Sequence, residues 1–243
     1  MERVGDHYVL NGEKTSISAA DQADAAIVFA RTGSVEDGAR GVSAVLVPMD
    51  LPGITRNRFD CHGQREIDRG SIFFENVRVP ADHQLGDESK GFVQVMQGFD
   101  FSRALIGLQV LAVAKASLEE TWEYVAQREA FGKPLSAFQG VSHPLAEYET
   151  QVEAARLLCL QTLWLKDRGL PHTAEAAMCK WWGPKLAYDA VHQWLLSFGH
   201  GGYDRGPMEQ RLRDVLSQIG DGTAQIMKTI IARTRAGRDA VPA

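Results

Sequence analysis

The spacing of apolar residues changes near residue 86, from alternation along short segments to the repeat of about 3.6 residues that marks helices. Before this point, apolar runs at 25–30, 42–47 and 71–74 are rich in Ile, Val and Phe and are separated by Gly, Pro and Asp. Short runs with such boundaries are typical of antiparallel strands. We therefore predict a β-domain, either a sandwich or a barrel, over residues 1–86.

One turn in this β-domain is predicted from a dipeptide. The strand-like residues Tyr8, Val9 and Leu10 lead directly into Asn11-Gly12. Asn-Gly favours the two-residue turn that joins antiparallel strands, because both residues accept a positive φ. We therefore expect the chain to reverse direction at Asn11-Gly12.

Residues 87–243 carry apolar stripes at helical spacing. The first stripe runs from Phe92 to Val125, the second from Leu145 to Thr162, and the third from His172 to Phe198. Shorter stripes follow at 208–216 and 222–236. Helices that are apolar on one side and joined by short loops pack as an up-down bundle. The sequence therefore predicts an α+β fold, in which an antiparallel β-domain (1–86) is followed by a helical bundle (87–243).

The composition is that of a globular protein, and it excludes some classes of function. Hydrophobic residues make up 44% of the chain and charged residues 23%, and the net charge is -5. An acidic chain lacks the basic surface of a general nucleic-acid binder, and no run of about 18 apolar residues indicates a membrane span. We therefore expect neither a nucleic acid nor a membrane as partner. Three cysteines without a CxxC pair, and a start without a signal-peptide pattern, indicate a cytoplasmic location.

Two patterns that could bind cofactors are incomplete. The glycine-rich segment 199–206 has Asp204 where a dinucleotide-binding loop needs its third glycine, and it follows a helix rather than a strand. We interpret it as a helix end and a turn. Asp189 and His192 share a helix face, but a di-iron bundle needs two such pairs and two further acids. We therefore predict no metal site.

Two other segments are ambiguous when each is taken alone. Asp221 lies between two glycines just before a predicted helix, so it is either a plain N-cap or a functional carboxylate. Arg128, three residues before Phe131, is by itself typical of a helix end with a surface arginine. The context of the whole chain is needed to choose between these interpretations.

Five segments occur in an order that one enzyme family shares, and they extend over nearly the whole chain. They are Gly5 to Lys14; Gly63-Gln64-Arg65 with Phe74 to Pro80; Gly91 to Arg103; Arg128 to Pro134 with Phe138-Gln139; and Arg213 to Gln225. In this combination the chain resembles the acyl-CoA dehydrogenases. The resemblance implies FAD as cofactor, an acyl-CoA thioester as substrate, an electron-transfer flavoprotein as redox partner, and a homo-oligomer (dimer or tetramer) with FAD at subunit interfaces.

The resemblance also implies a reaction, α,β-desaturation of the acyl-CoA. A carboxylate takes the α-proton while the β-hydrogen leaves as hydride to flavin N5. In this chain the carboxylate is that of Asp221, and its backbone N–H polarises the thioester oxygen as part of an oxyanion hole. Asp100, Arg103 and Gly222 are implied to lie at the bound thioester.

A further set of residues is implied to contact FAD. These residues are Ser18, Arg128, Phe131, Gln139, Leu196, Gly199, His200, Thr223 and Gln225. In the family, the residue corresponding to Ser18 lies beside flavin N5, and the one corresponding to Arg128 pairs with the pyrophosphate across a subunit interface. A guanidinium suits that role, because it presents a fork of donors to phosphate oxygens.

The chain departs from the family pattern at the base. Asp221 stands where most members have Glu, which is longer by one C–C bond, about 1.5 Å. Some members instead carry the acid on the first helix, where this chain has Ser102. Ser16 stands where the family usually has a Trp packed on the flavin. The small Ser16 and the short Asp221 favour a bulky or alicyclic acyl group, as in cyclohexanecarboxyl-CoA dehydrogenases.

A larger departure lies at the front of the chain. The family's N-terminal helical domain and the first strands of its middle domain have no counterpart here, so we expect the β-domain to be partial and FAD to be retained weakly. This gap supports a second hypothesis, that the chain is a catalytically impaired assembly or interaction module. The retained Arg128, Phe131, Gln139, Arg103 and Thr223 favour the enzyme.

Overall fold

The fold is that of a computed structural model, which describes residues 1–215, 218–237 and 241. The chain forms two compact units, Met1–Gly98 and Phe99–Ala243. Strands dominate the first unit and helices the second. This arrangement confirms the predicted α+β class with antiparallel sheets.

The first unit contains two antiparallel sheets. One has the strand order β1-β2-β6-β5 and the other β3-β4-β7. The strands are β1 (Glu2–Val4), β2 (His7–Ser18), β3 (Ala25–Arg31), β4 (Val42–Pro48), β5 (Ile54–Arg56), β6 (Arg69–Pro80) and β7 (Gln84–Leu85). Short 3-10 helices lie at Val35–Gly41 and Ala81–His83.

The pairing of β2 with β6 shows why the sequence folds in this way. Tyr8 lies opposite Val79 and Leu10 opposite Val77, and all four side chains are buried. Residues two apart point to the same face of a strand, so the alternating pattern places one face of β2 in the core. There these side chains join apolar residues of β3 and β4 in a single cluster.

The predicted reversal at Asn11-Gly12 is wrong. Strand β2 runs through both residues, and its register with β6 shifts between Leu10 and Gly12, which is a bulge. The side-chain oxygen of Asn11 accepts a 2.8 Å hydrogen bond from the backbone N–H of Asn76, so the irregular backbone is bridged across the sheet. The actual two-residue turn is at Gly5 and Asp6, between β1 and β2, where Gly5 has φ +62.

The described residues of the second unit form five α-helices and one small hairpin. The helices are α1 (Gly91–Gln127, which begins in the first unit), α2 (Gln139–Asp167), α3 (Thr173–Ser197), α4 (Pro207–Asp214) and α5 (Ala224–Ala236). The hairpin is formed by β8 (Glu129–Ala130) and β9 (Lys133–Pro134), and 3-10 helices lie at Leu135–Ala137 and Gly199–Gly202. Part of the stripe predicted at 208–216 falls on residue 216, which lies outside the described residues.

Helices α1 and α3 run side by side in the same direction and approach closely. Near their starts, the Thr173 hydroxyl donates a 2.6 Å hydrogen bond to Asp100 Oδ2. Further along, a Cβ added to Gly183 would lie 3.1 Å from the Gly107 Cα. Two glycines at the crossing allow the backbones to touch, and this contact brings the side chains one turn earlier on each helix together.

Helix α1 is long and apolar enough, by length and composition, to cross a membrane, and it is the one such helix among the described residues. This differs from the prediction, made from the sequence, that no segment of the chain indicates a membrane span. A core helix meets the same criteria, and α1 contributes Val110, Leu111, Ala114 and Leu118 to the buried cluster of the helical unit.

Candidate active site

The loop before α5 holds Asp221 in an unusual backbone conformation. Asp221 has φ +56 and Gly222 has φ +107. Left-handed backbone is costly for most residues, but Asp adopts it more readily than bulky side chains do. Helix α5 is capped by Thr223, whose hydroxyl accepts a 3.4 Å bond from the Ile226 N–H. The N-cap interpretation of Asp221 is therefore wrong, and its carboxylate is used elsewhere.

Two consecutive residues of α1 hold this loop. Ser102 Oγ donates a 2.6 Å hydrogen bond to Asp221 Oδ2, and Arg103 Nε donates a 3.1 Å bond to the backbone carbonyl of Asp221. One contact orients the carboxylate and the other holds the peptide that carries it. Because both donors lie on a helix packed into the core, the position of Asp221 is set by the rigid part of the unit.

Arg103 is itself fixed by a buried network. Its side chain is 6% exposed, and its guanidinium donates a 3.1 Å hydrogen bond to Asp100 Oδ1. The second oxygen of Asp100 accepts the Thr173 hydroxyl at 2.6 Å. A buried charge is tolerated when it is paired and hydrogen-bonded, as Arg103 is here.

Lys180 is a functional candidate that the sequence reasoning missed. It lies on α3, is 1% exposed, and interacts electrostatically with Asp221 and Arg103. Burial lowers the pKa of its ammonium to about 8, while the negative charge of Asp221 raises it and the positive charge of Arg103 lowers it. A signal was present, because Lys180 interrupts an apolar helix face whose other members, Ala176, Ala177 and Gly183, are buried. A lone lysine in a helix usually marks the solvated face, which hides this exception.

Four charged residues thus form one cluster, which we call the charge quartet: Asp100, Arg103, Lys180 and Asp221. Two carboxylates balance two cations, so the quartet has no net formal charge when all four groups are ionised. Charges in such a low-dielectric setting act on one another strongly. Of the residues that the resemblance assigned to the substrate or the base, the structure brings Asp100, Arg103, Asp221 and Gly222 together here.

Gly222 is required by this arrangement. Its φ of +107 lies in the region that favours glycine, and an added Cβ would lie 2.5 Å from Met227 Cε, which is buried. A side chain at this position would be strained by the backbone conformation, and its Cβ would have to displace the end of the Met227 side chain.

The Arg128 side chain is exposed directly after α1. It makes no hydrogen bond or ion pair with any described residue. The ring of Phe131 is 96% exposed, although Phe131 occupies a two-residue turn between β8 and β9 with φ +53. A bulky residue in strained backbone with an open ring points to an external contact.

The remaining residues predicted to bind FAD lie on the surface or near it. Gln139, Leu196, Gly199, His200 and Gln225 are exposed, and Thr223 is half-buried at the α5 N-cap. No hydrogen bond or ion pair links Arg128, Phe131 or these residues to Asp221 within the described parts of the chain. Ser18 is exposed at the end of β2 in the other unit. Their role stays a prediction.

Ser16 lies at the second irregularity of β2, where the register with β6 shifts between Lys14 and Ile17. It is exposed and has φ +57.

Among residues 1–215, 218–237 and 241, no three His, Cys, Asp or Glu side chains are grouped so that they could hold a metal ion.

Comparison with known families identifies the chain. The family model described as "Acyl-CoA dehydrogenase, C-terminal domain" matches residues 89–235, and "Acyl-CoA dehydrogenase, middle domain" matches residues 1–77. The chain belongs to the acyl-CoA dehydrogenase family, as the combination of segments predicted.

Individual relatives agree with this assignment. The chain is 39% identical to "Probable acyl-CoA dehydrogenase YngJ" of Bacillus subtilis, over 94% of this chain and 61% of that protein. It is 35% identical to the cyclohexane-1-carbonyl-CoA dehydrogenase of Geobacter metallireducens, over 95% and 61%. The structure of butyryl-CoA dehydrogenase from Megasphaera elsdenii superposes with a TM-score of 0.91 at 34% identity, over 96% and 62%. The chain therefore spans less than two thirds of the length of these relatives.

Proposed function

We propose that the chain carries the proton-abstracting site of an FAD-dependent acyl-CoA dehydrogenase, with Asp221 as the base. The observation that carries this proposal is the 2.6 Å hydrogen bond from Ser102 to Asp221 Oδ2. It holds a carboxylate in a defined orientation on a loop that a second bond, from Arg103, ties to α1. A surface aspartate with no role would need neither contact.

The residues of the site divide the work of proton removal. Ser102 engages Oδ2 of Asp221, which leaves Oδ1 to accept the α-proton of the acyl group. The backbone N–H of Asp221 makes no hydrogen bond with a described residue, so it is available to polarise the thioester oxygen. Arg103 binds the backbone carbonyl of Asp221, which helps to keep the carboxylate and the backbone N–H of Asp221 in a fixed position relative to each other.

FAD, when bound, supplies the acceptor for the β-hydride. Two exposed side chains of this chain fit such a cofactor. Arg128 presents an exposed guanidinium for a pyrophosphate, and Phe131 presents an open ring for a flat heterocycle. Gln139, His200, Thr223 and Gln225 are assigned to the same cofactor by the family resemblance, with FAD shared between subunits of a homo-oligomer. An electron-transfer flavoprotein is the proposed acceptor of the electrons.

The proposed substrate class is a bulky or alicyclic acyl-CoA. Asp221 is shorter than the usual Glu, and Ser16 is smaller than the usual Trp, so both departures leave room. The relative from Geobacter metallireducens, 35% identical, is named for a cyclohexane ring substrate. A test of specificity should therefore compare straight-chain acyl-CoAs with cyclohexanecarboxyl-CoA as substrates.

The test of the function mixes the chain with FAD and a panel of acyl-CoAs and follows bleaching of the flavin absorbance. For a general base, Asp221→Asn should lower the rate by about 10²- to 10⁴-fold. Asp50→Asn is the matched control, because Asp50 is an exposed aspartate in the turn after β4, outside the residues assigned to the site. Bleaching that survives Asp221→Asn would remove Asp221 as the base. Failure of every thioester to bleach the flavin would favour the assembly-module hypothesis.

A further inference from the structure

A hydroxyl at the start of α3 reaches across to α1. Thr173 is the first residue of α3, and its Oγ1 donates a 2.6 Å hydrogen bond to Asp100 Oδ2. Polar side chains at a helix start commonly bond to the backbone of their own helix. The bond that Thr173 makes here joins two helices instead, and the family resemblance assigned no role to this residue.

The carboxylate of Asp100 is well placed to be held in this way. Negative charge near the N-terminus of a helix is stabilised by the N–H groups of the first turn, which here belong to α3. The second oxygen of Asp100 accepts a 3.1 Å hydrogen bond from Arg103 Nη1. The Asp100 side chain is only 16% exposed. Its orientation therefore depends on Thr173 on one side and Arg103 on the other.

A second contact holds the turn between α2 and α3 against α1. Near the end of α2, the ammonium of Lys166 lies 4.6 Å from the centre of the Phe101 ring, a cation–π contact. Phe101 is the residue after Asp100. The two ends of this turn therefore touch consecutive residues of α1, and the Lys166 contact helps to keep Thr173 opposite Asp100.

Arg103 transmits the orientation of Asp100 to the loop before α5. Its Nη1 bonds to Asp100, and its Nε donates a 3.1 Å hydrogen bond to the backbone carbonyl of Asp221. The guanidinium is planar and rigid, so the direction of one N–H bond fixes the direction of the other. A continuous set of hydrogen bonds thus runs from Thr173 through Asp100 and Arg103 to the peptide of Asp221.

We propose that Thr173 is a positioning residue for the base, whose hydroxyl fixes the Asp100 carboxylate so that Arg103 keeps the backbone carbonyl of Asp221 in place. This inference rests on the proposed function of Asp221 as the proton acceptor. The role requires the hydroxyl donor and no contact of Thr173 with substrate or cofactor. Ser keeps that donor, whereas Val has the shape of Thr and lacks it.

The first test needs neither FAD nor substrate. In the full chain labelled with ¹⁵N-arginine, NMR measures how fast the Arg103 Nε–H exchanges with water. In Thr173→Val the exchange should become about tenfold faster, because a bond to a charged group has been lost from the set. In Thr173→Ser it should stay at the wild-type rate. Equal exchange in wild type and Thr173→Val would overturn the proposal.

Thr150→Val is the matched control for this test. Thr150 is a threonine of α2 whose Oγ1 donates a 2.9 Å hydrogen bond to the Ala146 carbonyl of the same helix. The substitution makes the same chemical change as Thr173→Val, outside the set of bonds that ends at Asp221. The exchange of the Arg103 Nε–H should not change, and a change as large as that in Thr173→Val would contradict a specific role of Thr173.

The second test is the single-turnover rate of flavin bleaching with FAD and acyl-CoA. In Thr173→Val the rate at saturating acyl-CoA should fall about fivefold, while the acyl-CoA concentration that gives half of this rate stays unchanged. Thr173→Ser should restore the rate. A residue that only stabilises the fold would lower the amplitude of bleaching and leave the rate constant unchanged. That result, or a loss of rate that Ser does not restore, would overturn the proposal.

The two tests separate this inference from the proposed function. If bleaching survives Asp221→Asn, Asp221 is not the base, and the exchange measurement still shows whether Thr173 fixes Arg103. If bleaching requires Asp221 but neither the exchange nor the rate responds to Thr173→Val, the function stands and the role of Thr173 is wrong.

Discussion

Ser102 on α1 and Asp221 before α5 are 119 positions apart in the sequence, and a 2.6 Å hydrogen bond joins their side chains. In the acyl-CoA dehydrogenase resemblance, these are the two positions at which family members carry the catalytic acid. Their contact gives a physical reason for that choice, because a carboxylate on either element can reach the same small volume. In this chain the carboxylate that we propose as the base is on the loop, and the helix supplies the hydroxyl that binds it.

Replacing Ser102 by Ala should slow flavin bleaching by about tenfold, because a hydrogen bond to a charged group contributes about 1.5–3 kcal/mol and part of this orients the base. Thr150→Ala is the control, because the hydrogen bond that Thr150 Oγ1 makes among the described residues stays within its own helix, at the Ala146 carbonyl. The measurement is the single-turnover rate at saturating acyl-CoA. Equal rates for Ser102→Ala and wild type would show that the bond has no catalytic effect.

Gly107→Ala should lower the free energy of unfolding by about 1–3 kcal/mol, the usual cost of an overpacked core. An added Cβ would lie 2.8 Å from Cys159 Sγ and 3.3 Å from the Cys179 carbonyl. Urea denaturation followed by circular dichroism measures the change.

The same helix provides the control for this substitution. A Cβ at Gly98 would have no described atom within 4 Å. Gly98→Ala should therefore stabilise the protein by up to about 1 kcal/mol, from helix propensity alone. Similar effects of the two substitutions would contradict the close packing of α1 on α3.

The free energy of unfolding should rise with pH between about 8 and 10.5 because of Lys180. Its pKa is about 8 in the folded chain and 10.5 in the unfolded chain. Over this window the unfolded state binds the proton more strongly, so unfolding becomes harder as the pH increases. The gain is on the order of 3 kcal/mol.

Comparison with Lys180→Met isolates this contribution, because other groups also titrate in the window. The difference in free energy of unfolding between wild type and variant should change in favour of wild type as the pH rises through 8 to 10.5. It should be constant below pH 7. A constant difference over the whole range would mean that Lys180 titrates like an exposed lysine.

Phe131→Asn should stabilise the β8–β9 hairpin while weakening FAD binding. Asn accepts the φ of +53 at this position more readily than Phe does, so the free energy of unfolding should rise by about 0.5–1 kcal/mol. Loss of the ring should raise the Kd for FAD about tenfold, measured by quenching of flavin fluorescence. Arg128→Gln is the companion variant and should weaken FAD binding without changing stability. An unchanged Kd for FAD in both variants would show that FAD does not bind at Phe131 and Arg128.

Periodicity predicted most of the fold, because burial of one face dictates the spacing of apolar residues in strands and helices. The helices from Phe92, Leu145 and His172 and the strands at 25–30 and 42–47 all appear in the structure. The turn at Asn11-Gly12 failed because pairing with β6 on both sides of the dipeptide outweighed its local preference. A bulge and the bonds to Asn76 accommodate it instead.

The sequence alone determined which elements form and which family the chain belongs to, since both depend on local patterns and the order of segments. It also indicated Asp221 as the candidate base. Only the tertiary structure decided what surrounds that base. Ser102, Arg103 and Lys180 lie on α1 and α3, far from Asp221 along the chain. The close approach of these two helices, at Gly107 and Gly183 and between Asp100 and Thr173, allows their charges to act together. Electrostatic forces depend on distance in space, which the spacing of residues in one dimension does not record.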